Sequence, residues 1–357
     1  MNILFISRAF PPFTGGIENQ NAALAEWLPK FAETKFIINR HGKIALPWFL
    51  PFALFKACVF MFRSDILVLG DGVLAIIGAI IKILFPRKKV VVVLHGLDIT
   101  YPFPLYQRLW IRGFLRSLDG YFCVSTHTKT QAIGHGVNSH KCFVIPNGVE
   151  TERFTSKRNR DRLETILCRS LEGKIVLLTL GRLAKRKGVA WFIHHVLPQL
   201  NGNILYVVAG SGPEELAIRA AIRETNLDTR VILLGRVSQD DVLTLLNSSD
   251  IFVQPNIHVS GDMEGFGIAV IEAGSAGLPV VASDLEGLRD AIQQGENGFL
   301  VKPERADGFI HTINELAENN TERRNFGDRA ARFVENTFHW NTVTKEYIRT
   351  LTKIMKQ

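Results

Sequence analysis

A chain of 357 residues with 46% hydrophobic and 10% aromatic content is long enough for two domains that each bury a core. That balance excludes a disordered or low-complexity chain. Charge is uneven: residues 1–165 carry 21 Lys and Arg against 11 Asp and Glu, so the overall excess of +8 lies in the N-terminal half. Such a half suits a polyanion or an anionic membrane surface. The four cysteines (Cys58, Cys123, Cys142, Cys168) have no C-x-x-C spacing and read as reduced thiols of a cytoplasmic protein. Asn2-Ile-Leu-Phe-Ile-Ser7 is too short an apolar run for a signal peptide, so no export is expected.

In chain order, Ile3 to Ser7 reads as a buried strand, followed by a Pro/Gly loop whose Gly15-Gly16 opens a helix running to about Phe31. The absence of G-x-G-x-x-G argues against an ordinary dinucleotide fingerprint here. After a short strand (Phe36 to Asn39) comes a greasy run, Ile44 to Phe62, interrupted by Pro47, Pro51 and Lys56. It and Leu74 to Phe85, which contains Lys82, read as helices packed on a parallel sheet rather than membrane spans. Strands Ile66 to Leu69 and Val90 to Leu94 flank them, and the second ends in His95-Gly96-Leu97-Asp98. The carboxyl end of a parallel strand is where open α/β sheets bind ligands. A helix from Tyr106 to Leu118, strands Gly120 to Ser125 and Cys142 to Ile145, and a turn Pro146-Asn147-Gly148-Val149 follow. The charged run Thr151 to Arg169 reads as an interdomain connection.

The second half repeats the pattern. Strand Ile175 to Leu180 ends in Gly181-Arg182-Leu-Ala-Lys185-Arg186-Lys187-Gly188, and strand Ile204 to Ala209 in Gly210-Ser211-Gly212-Pro213-Glu214. Strand Val231 to Leu234 leads into Gly235-Arg236-Val237. Arg offers a planar fork and Lys a point charge, a pair suited to a diphosphate. Strand Ile251 to Gln254 precedes Glu264-Gly-Phe266-Gly267-Ile, which reads as the opening of a helix carrying Glu272 two turns in. Eight helical steps would separate the two carboxylates by about 80° and 12 Å. Helix N-termini attract anions, and glycines admit a phosphate close to the backbone. Spacing alone does not separate this layout from two glutamates on a solvent face. Strands Pro279 to Ala282 and Phe299 to Val301 complete the sheet, and only helices follow.

The frame Glu264-Gly-Phe-Gly-Ile…Glu272-Ala…Gly277-Leu-Pro-Val-Val-Ala-Ser resembles the Glu-x7-Glu signature of retaining GT-B glycosyltransferases, specifically glycosyltransferase family 4. Gly181-Arg182-Leu…Lys187-Gly188 and the Pro146-Asn-Gly-Val turn resemble further motifs of that family. The resemblance implies an α/β GT-B fold of two Rossmann-like, doubly wound domains facing across a cleft. Residues 1–165 would form an acceptor domain, 166–340 a donor domain, and a helix at about 341–357 would pack back on the first. It also implies roles: Glu264 and His95 meet the donor sugar, and Glu272 holds the ribose. Amides of Phe266 and Gly267, with Arg182 and Lys187, meet the diphosphate. Gly15 and Gly16 lie against donor phosphate and acceptor, Gly181 and Gly212 line the donor, and Val237 borders the base.

One departure is the long loop Pro255 to Met263 ahead of Glu264, where most family 4 chains run directly from a Pro-Ser turn. It resembles the phosphatidylinositol-mannoside mannosyltransferase branch and tilts the donor toward GDP-mannose over a UDP-hexose. No Asp-x-Asp metal motif, cofactor signature or nucleophile stands out, so the implied reaction is metal-independent transfer with retention, in polysaccharide or glycolipid assembly. A GT-B epimerase acting on UDP-N-acetylglucosamine and a non-catalytic nucleotide- or membrane-binding subunit remain as alternatives. Trp48, Phe49 and Phe52, flanked by Lys43, Lys56 and Arg63, point to peripheral binding at the cytoplasmic membrane face with a lipid-linked or glycan acceptor.

Overall fold

The computed structural model describes residues 1–13 and 15–357, so Thr14 of the first glycine loop lies outside the described residues. The chain forms two units. One comprises Met1–Gly148, Gly261–Phe266 and Trp340–Gln357; the other comprises Val149–Ser260 and Gly267–His339.

The first unit is built on strands β1 (Asn2–Ser7), β2 (Glu33–Ile38), β3 (Ile66–Leu69), β4 (Lys89–Leu94), β5 (Gly120–Cys123) and β6 (Cys142–Val144). They form one sheet in the order β2-β1-β3-β4-β5-β6, every pairing parallel. Val90, Val91, Val92 and Val93 are all buried, the near-continuous apolar run required of a strand covered on both faces. Its helices are α1 (Gly16–Trp27), α2 (Leu46–Met61), α3 (Ala75–Leu84), α4 (Leu97–Thr100), α5 (Pro104–Tyr106) and α6 (Thr126–Gly134). The segment expected as one helix from Tyr106 to Leu118 instead widens after α5 into a π-helix, Gln107–Phe114, ending in a 3-10 turn, Leu115–Ser117. There Trp110 stacks on Tyr106 and donates its indole N–H to the Val73 carbonyl (2.8 Å).

The second unit repeats the plan with β7 (Ile175–Leu180), β8 (Ile204–Ala209), β9 (Val231–Gly235), β10 (Ile251–Gln254), β11 (Val280–Ser283) and β12 (Phe299–Val301). Their order is β12-β11-β10-β7-β8-β9, again all parallel. Its helices include α7 (Arg160–Leu167), α8 (Val189–His195), α9 (Glu215–Glu224), α10 (Gln239–Ser248) and α11 (Ile268–Ser275). They continue with α12 (Leu288–Ala291), α13 (Ala306–Glu318) and α14 (Asn320–Phe338). The last helix, α15 (Trp340–Met355), returns to the first unit. There Tyr347 is fully buried, packs edge-on against Phe122 and accepts a hydrogen bond from Gln20 Nε2 (3.1 Å).

Two expectations need correction. Thr151 to Arg169 is not a bare connection, and the second unit begins at Val149 rather than 166. The segment contains α7, capped by the Asn159 side chain, and packs on α10. Two of its arginines are explained by Asp250, which is almost wholly buried and pairs with Arg158 (2.7 Å) and Arg160 (3.0 Å) while accepting from the Val176 amide (2.8 Å). Burial alone would raise the Asp250 carboxyl pKa, but Arg160 and Arg158 outweigh it and hold the group below the usual carboxylate range. The second correction concerns α2. Phe49 is turned into the core with Ala53, Ala57 and Met61, whereas Trp48 and Phe52 are exposed.

Asp250→Ala leaves three guanidinium groups, Arg158, Arg160 and the buried Arg323 (3.8 Å), without their shared carboxylate and is expected to cost about 3–5 kcal/mol. Denaturant titration of the parent and variant checks this. Because the folded pKa is depressed, the Asp250 contribution is fully present above the ordinary carboxylate pKa and fades as pH falls through the lowered folded value. The gap between the two proteins should therefore narrow in acid; a pH-independent gap would contradict the ion-pair account.

Candidate active site

In the first unit, β1, β3 and β4 are neighbours, and the loops at their carboxyl ends form one buried polar cluster. Asp98 organises it. One carboxylate oxygen accepts from the amides of His95 (3.0 Å) and Gly96 (2.9 Å), and the other from Gly72 (3.0 Å). Burial raises the Asp98 pKa against the pull of the His95 ring and these amides. Asp98 is thus the brace of this loop, and His95 is the group it presents. The His95 Nε2 lies 2.9 Å from the Gly70 carbonyl, which can only accept, so Nε2 carries the proton and Nδ1 is the ring's other nitrogen.

Beside them, Arg8 donates through Nε to the fully buried Asp71 (2.9 Å), whose carboxylate also caps the following turn at Val73 N (2.9 Å). Sequence reasoning passed over Arg8 and Asp71; the signal was Gly70-Asp71-Gly72 at a strand end, where two glycines bracket an acid. Both positions are tight: a Cβ would crowd the Asn21 amide at Gly70 and come within 3.1 Å of the Asp98 carboxylate at Gly72.

Segment Gly261–Phe266 belongs to this unit. Gly265 lies so close to the His95 carbonyl that any side chain there would overlap it, and Met263 packs on Gly96. Glu264, itself buried, is therefore brought to the His95 turn. Glu264 is not helical: α11 starts at Ile268, with Gly267 as its N-cap in a left-handed conformation (φ 96°). The 80° and 12 Å expected from eight helical steps do not apply, and Glu272, the fifth residue of α11, lies little more than one turn in. Gly16 opens α1 as expected. The Glu18 carboxylate folds back against Gly15, so an anion arriving at that tip has to displace it.

In the second unit, three adjacent strands end in glycine. Gly181 after β7 donates to Ala209 O (3.0 Å), and Gly210 after β8 donates to Gly235 O at the end of β9 (2.7 Å). Gly181 (φ 134°) and Gly210 (φ 142°) occupy backbone conformations that other residues rarely adopt. A Cβ on Gly210 would overlap the Gly181 carbonyl, and one on Gly212 would overlap that of Leu183. Beside Gly181 and Gly235, by contrast, the space a side chain would take is open. Arg182 extends from it, exposed, while Val237 beyond β9 is half-buried.

Lys187 corrects an expectation. A lysine in a run of basic residues reads as solvated, but Lys187 ends a 3-10 turn and is buried. The turn is pinned because Gly188 (φ 67°) leaves no room for a side chain beside the Pro255 carbonyl, and Ile257 N donates to Arg186 O (2.9 Å). Lys185 remains exposed. The N-cap of α11, Gly267, has no side chain with which to cap it. Burial raises the pKa of Glu272 on that helix, with Arg153 opposing the shift. Phe266 is buried.

Comparison with known proteins bears on the family and the fold. The family profile described as glycosyl transferases group 1 matches residues 169–333, and that of glycosyltransferase family 4 matches residues 19–153. The chain is 28% identical over 309 residues to the amylovoran biosynthesis glycosyltransferase AmsK of Erwinia amylovora, covering 83% of this chain and 72% of that protein. It is 29% identical over 182 residues to an Escherichia coli UDP-Gal:alpha-D-GlcNAc-diphosphoundecaprenol alpha-1,3-galactosyltransferase, covering 50% of this chain and 45% of that one. Among solved structures, Anabaena HepE in complex with UDP superimposes with a TM-score of 0.82 at 21% identity, covering 99% of this chain and 100% of HepE. HepE supports the fold, and the two profiles between them span most of the chain. The protein belongs to the group 1 glycosyltransferases, family 4, with the GT-B fold.

Proposed function

We propose that the protein transfers a hexosyl group from a nucleoside-diphosphate sugar to a hydroxyl of a glycan or lipid-linked glycan. The transfer proceeds with retention at the anomeric carbon and without a metal ion, in polysaccharide or glycolipid assembly at an anionic membrane surface. The observation that carries this reading is the open space beside Gly181 and Gly235, which no side chain fills, with the exposed Arg182 next to it, room for a large anion beside a guanidinium fork. Arg182, Lys187 and the Gly267 backbone hold the diphosphate and stabilise its charge as the bond to the anomeric carbon breaks. The acceptor oxygen bonds on the face the diphosphate leaves, and its proton passes to the departing phosphate. Glu272 accepts from the ribose hydroxyls, and His95 and Glu264 orient the sugar. The uridine nucleotides named for HepE and for the galactosyltransferase make a UDP-hexose the first donor to test, with GDP-mannose second.

Arg182→Ala is expected to lower turnover by roughly two to three powers of ten, the scale of removing one charge-stabilising donor. Arg182 is exposed, so stability should be unchanged. Lys187 is buried, so Lys187→Ala needs a parallel stability measurement before its turnover is interpreted. Product release in single-turnover assays reads the effect; turnover within a few-fold of the parent removes Arg182 from the diphosphate site.

The glutamates should separate by nucleotide affinity. Glu272→Gln is expected to weaken free nucleotide by about 1.5–3 kcal/mol, and Glu264→Gln to leave that affinity intact while reducing transfer. Because burial raises the Glu272 pKa, nucleotide affinity should begin to fall at a higher pH than for an ordinary carboxylate as the solution is acidified. Glu272→Gln should abolish that dependence. Calorimetric titration across pH decides it, and equal losses in both variants would contradict the division of roles.

A further inference from the structure

Helix α2 carries two unlike stripes. Phe49, Ala53, Ala57 and Met61 recur every four residues and are sealed in the core. Ile44, in the 3-10 turn that leads into α2, begins a second stripe that continues through Trp48, Phe52, Phe55 and Val59 to Phe62 at the helix end. These six recur every three or four residues and are all exposed, Trp48 at 83% and Phe62 at 77%. At about 100° per residue the six fall within an arc of about 80°, on the side away from the buried stripe. The Phe62 ring meets Phe85 edge-on (5.2 Å) just past α3, whose end adds exposed Ile83 and Leu84. An exposed apolar patch of this continuity marks an interaction surface.

Its charge says what the surface fits. Between Glu33 and Asp65 there is no acidic residue, while Lys35, Arg40, Lys43, Lys56 and Arg63 all occur, and Arg87-Lys88-Lys89 follows α3. Lys56 sits over the Phe52 and Phe60 rings (5.9 Å each), a long stem laid on apolar surface with its charge at the edge. Apolar side chains with a basic border and no acids match a layer of hydrocarbon beneath negative headgroups.

We propose that α2 is an in-plane membrane anchor, its outer stripe seated at the headgroup–acyl boundary of an anionic bilayer. This rests on the proposed lipid-linked acceptor and names the element that meets the membrane. The window Lys43–Met61 is long and apolar enough to cross a bilayer, but its inner stripe packs against β1 and β2. Spanning would strip that stripe from the sheet, so only the outer stripe enters lipid.

The test uses the full chain with phosphatidylcholine vesicles, with or without phosphatidylglycerol. Binding should require phosphatidylglycerol and weaken as salt rises, since the Debye length falls from ~10 Å at 0.1 M to ~3 Å at 1 M. Phe52→Ser with Phe55→Ser should weaken partitioning at least tenfold, with thermal stability and nucleotide binding unchanged, because both are exposed. Brominated lipids should quench tryptophan emission more from bromines near the headgroups than from bromines at the chain ends, and Trp48→Phe should remove most of the quenching. Unchanged partitioning of the double variant, quenching mainly from chain-end bromines, or a dimer in light scattering that the variant dissolves would each overturn the anchor. Transfer to a soluble acceptor without vesicles separates the two readings: its absence in the parent counts against the proposed reaction, whereas its presence alongside unchanged partitioning counts against the anchor alone.

Discussion

Backbone runs against backbone where β7 and β8 end, and no side chain fits between. Gly210 stands where a Cβ would enter the Gly181 carbonyl, and Gly212 where one would enter that of Leu183. Gly181 and Gly210 also take dihedral angles that carry a penalty for any other residue. This contact brings the loops of three neighbouring strands to one edge of the sheet and keeps that edge clear. The following loops inherit the geometry: Arg182 projects outward, and the lysine turn folds back on Pro255 because Gly188 lets it. A substitution at Gly210 would therefore disturb several elements together.

The first unit reaches the same end by buried charge. Asp98 and Asp71 are both removed from water, a costly placement unless amides and a counter-ion satisfy them. Asp98 receives three backbone N–H groups and Asp71 receives Arg8 and an amide. What that arrangement returns is rigidity. His95 has its main chain held by Asp98 and its ring held by Gly70, so tautomer and orientation are fixed before any ligand arrives.

The sheets were legible because parallel strands buried on both faces read as apolar runs, and β3, β7, β8, β10 and β12 fall on the residues the sequence indicates. The glycine loops were legible because glycine at a strand end has few other reasons to be there. Three things were hidden. The helix after Glu264 begins later than its apolar pattern suggests, because Gly267 takes a left-handed turn that periodicity does not reveal. The charges of residues 151–169 looked like a linker because Asp250, which gathers two of the arginines, lies some ninety residues away. Lys187 and Asp71 gave no sign of burial, since a charged residue reads as exposed until its partners are known.

The central claim is that the glycine-lined edge of the second unit holds a diphosphate. Calorimetric titration of the protein with uridine, uridine monophosphate and uridine diphosphate, and with the guanosine series, tests it most directly. A charged hydrogen bond contributes about 1.5–3 kcal/mol, so the account predicts a gain of roughly tenfold or more at the second phosphate in at least one series. Affinity that is flat from nucleoside to diphosphate in both series would contradict it.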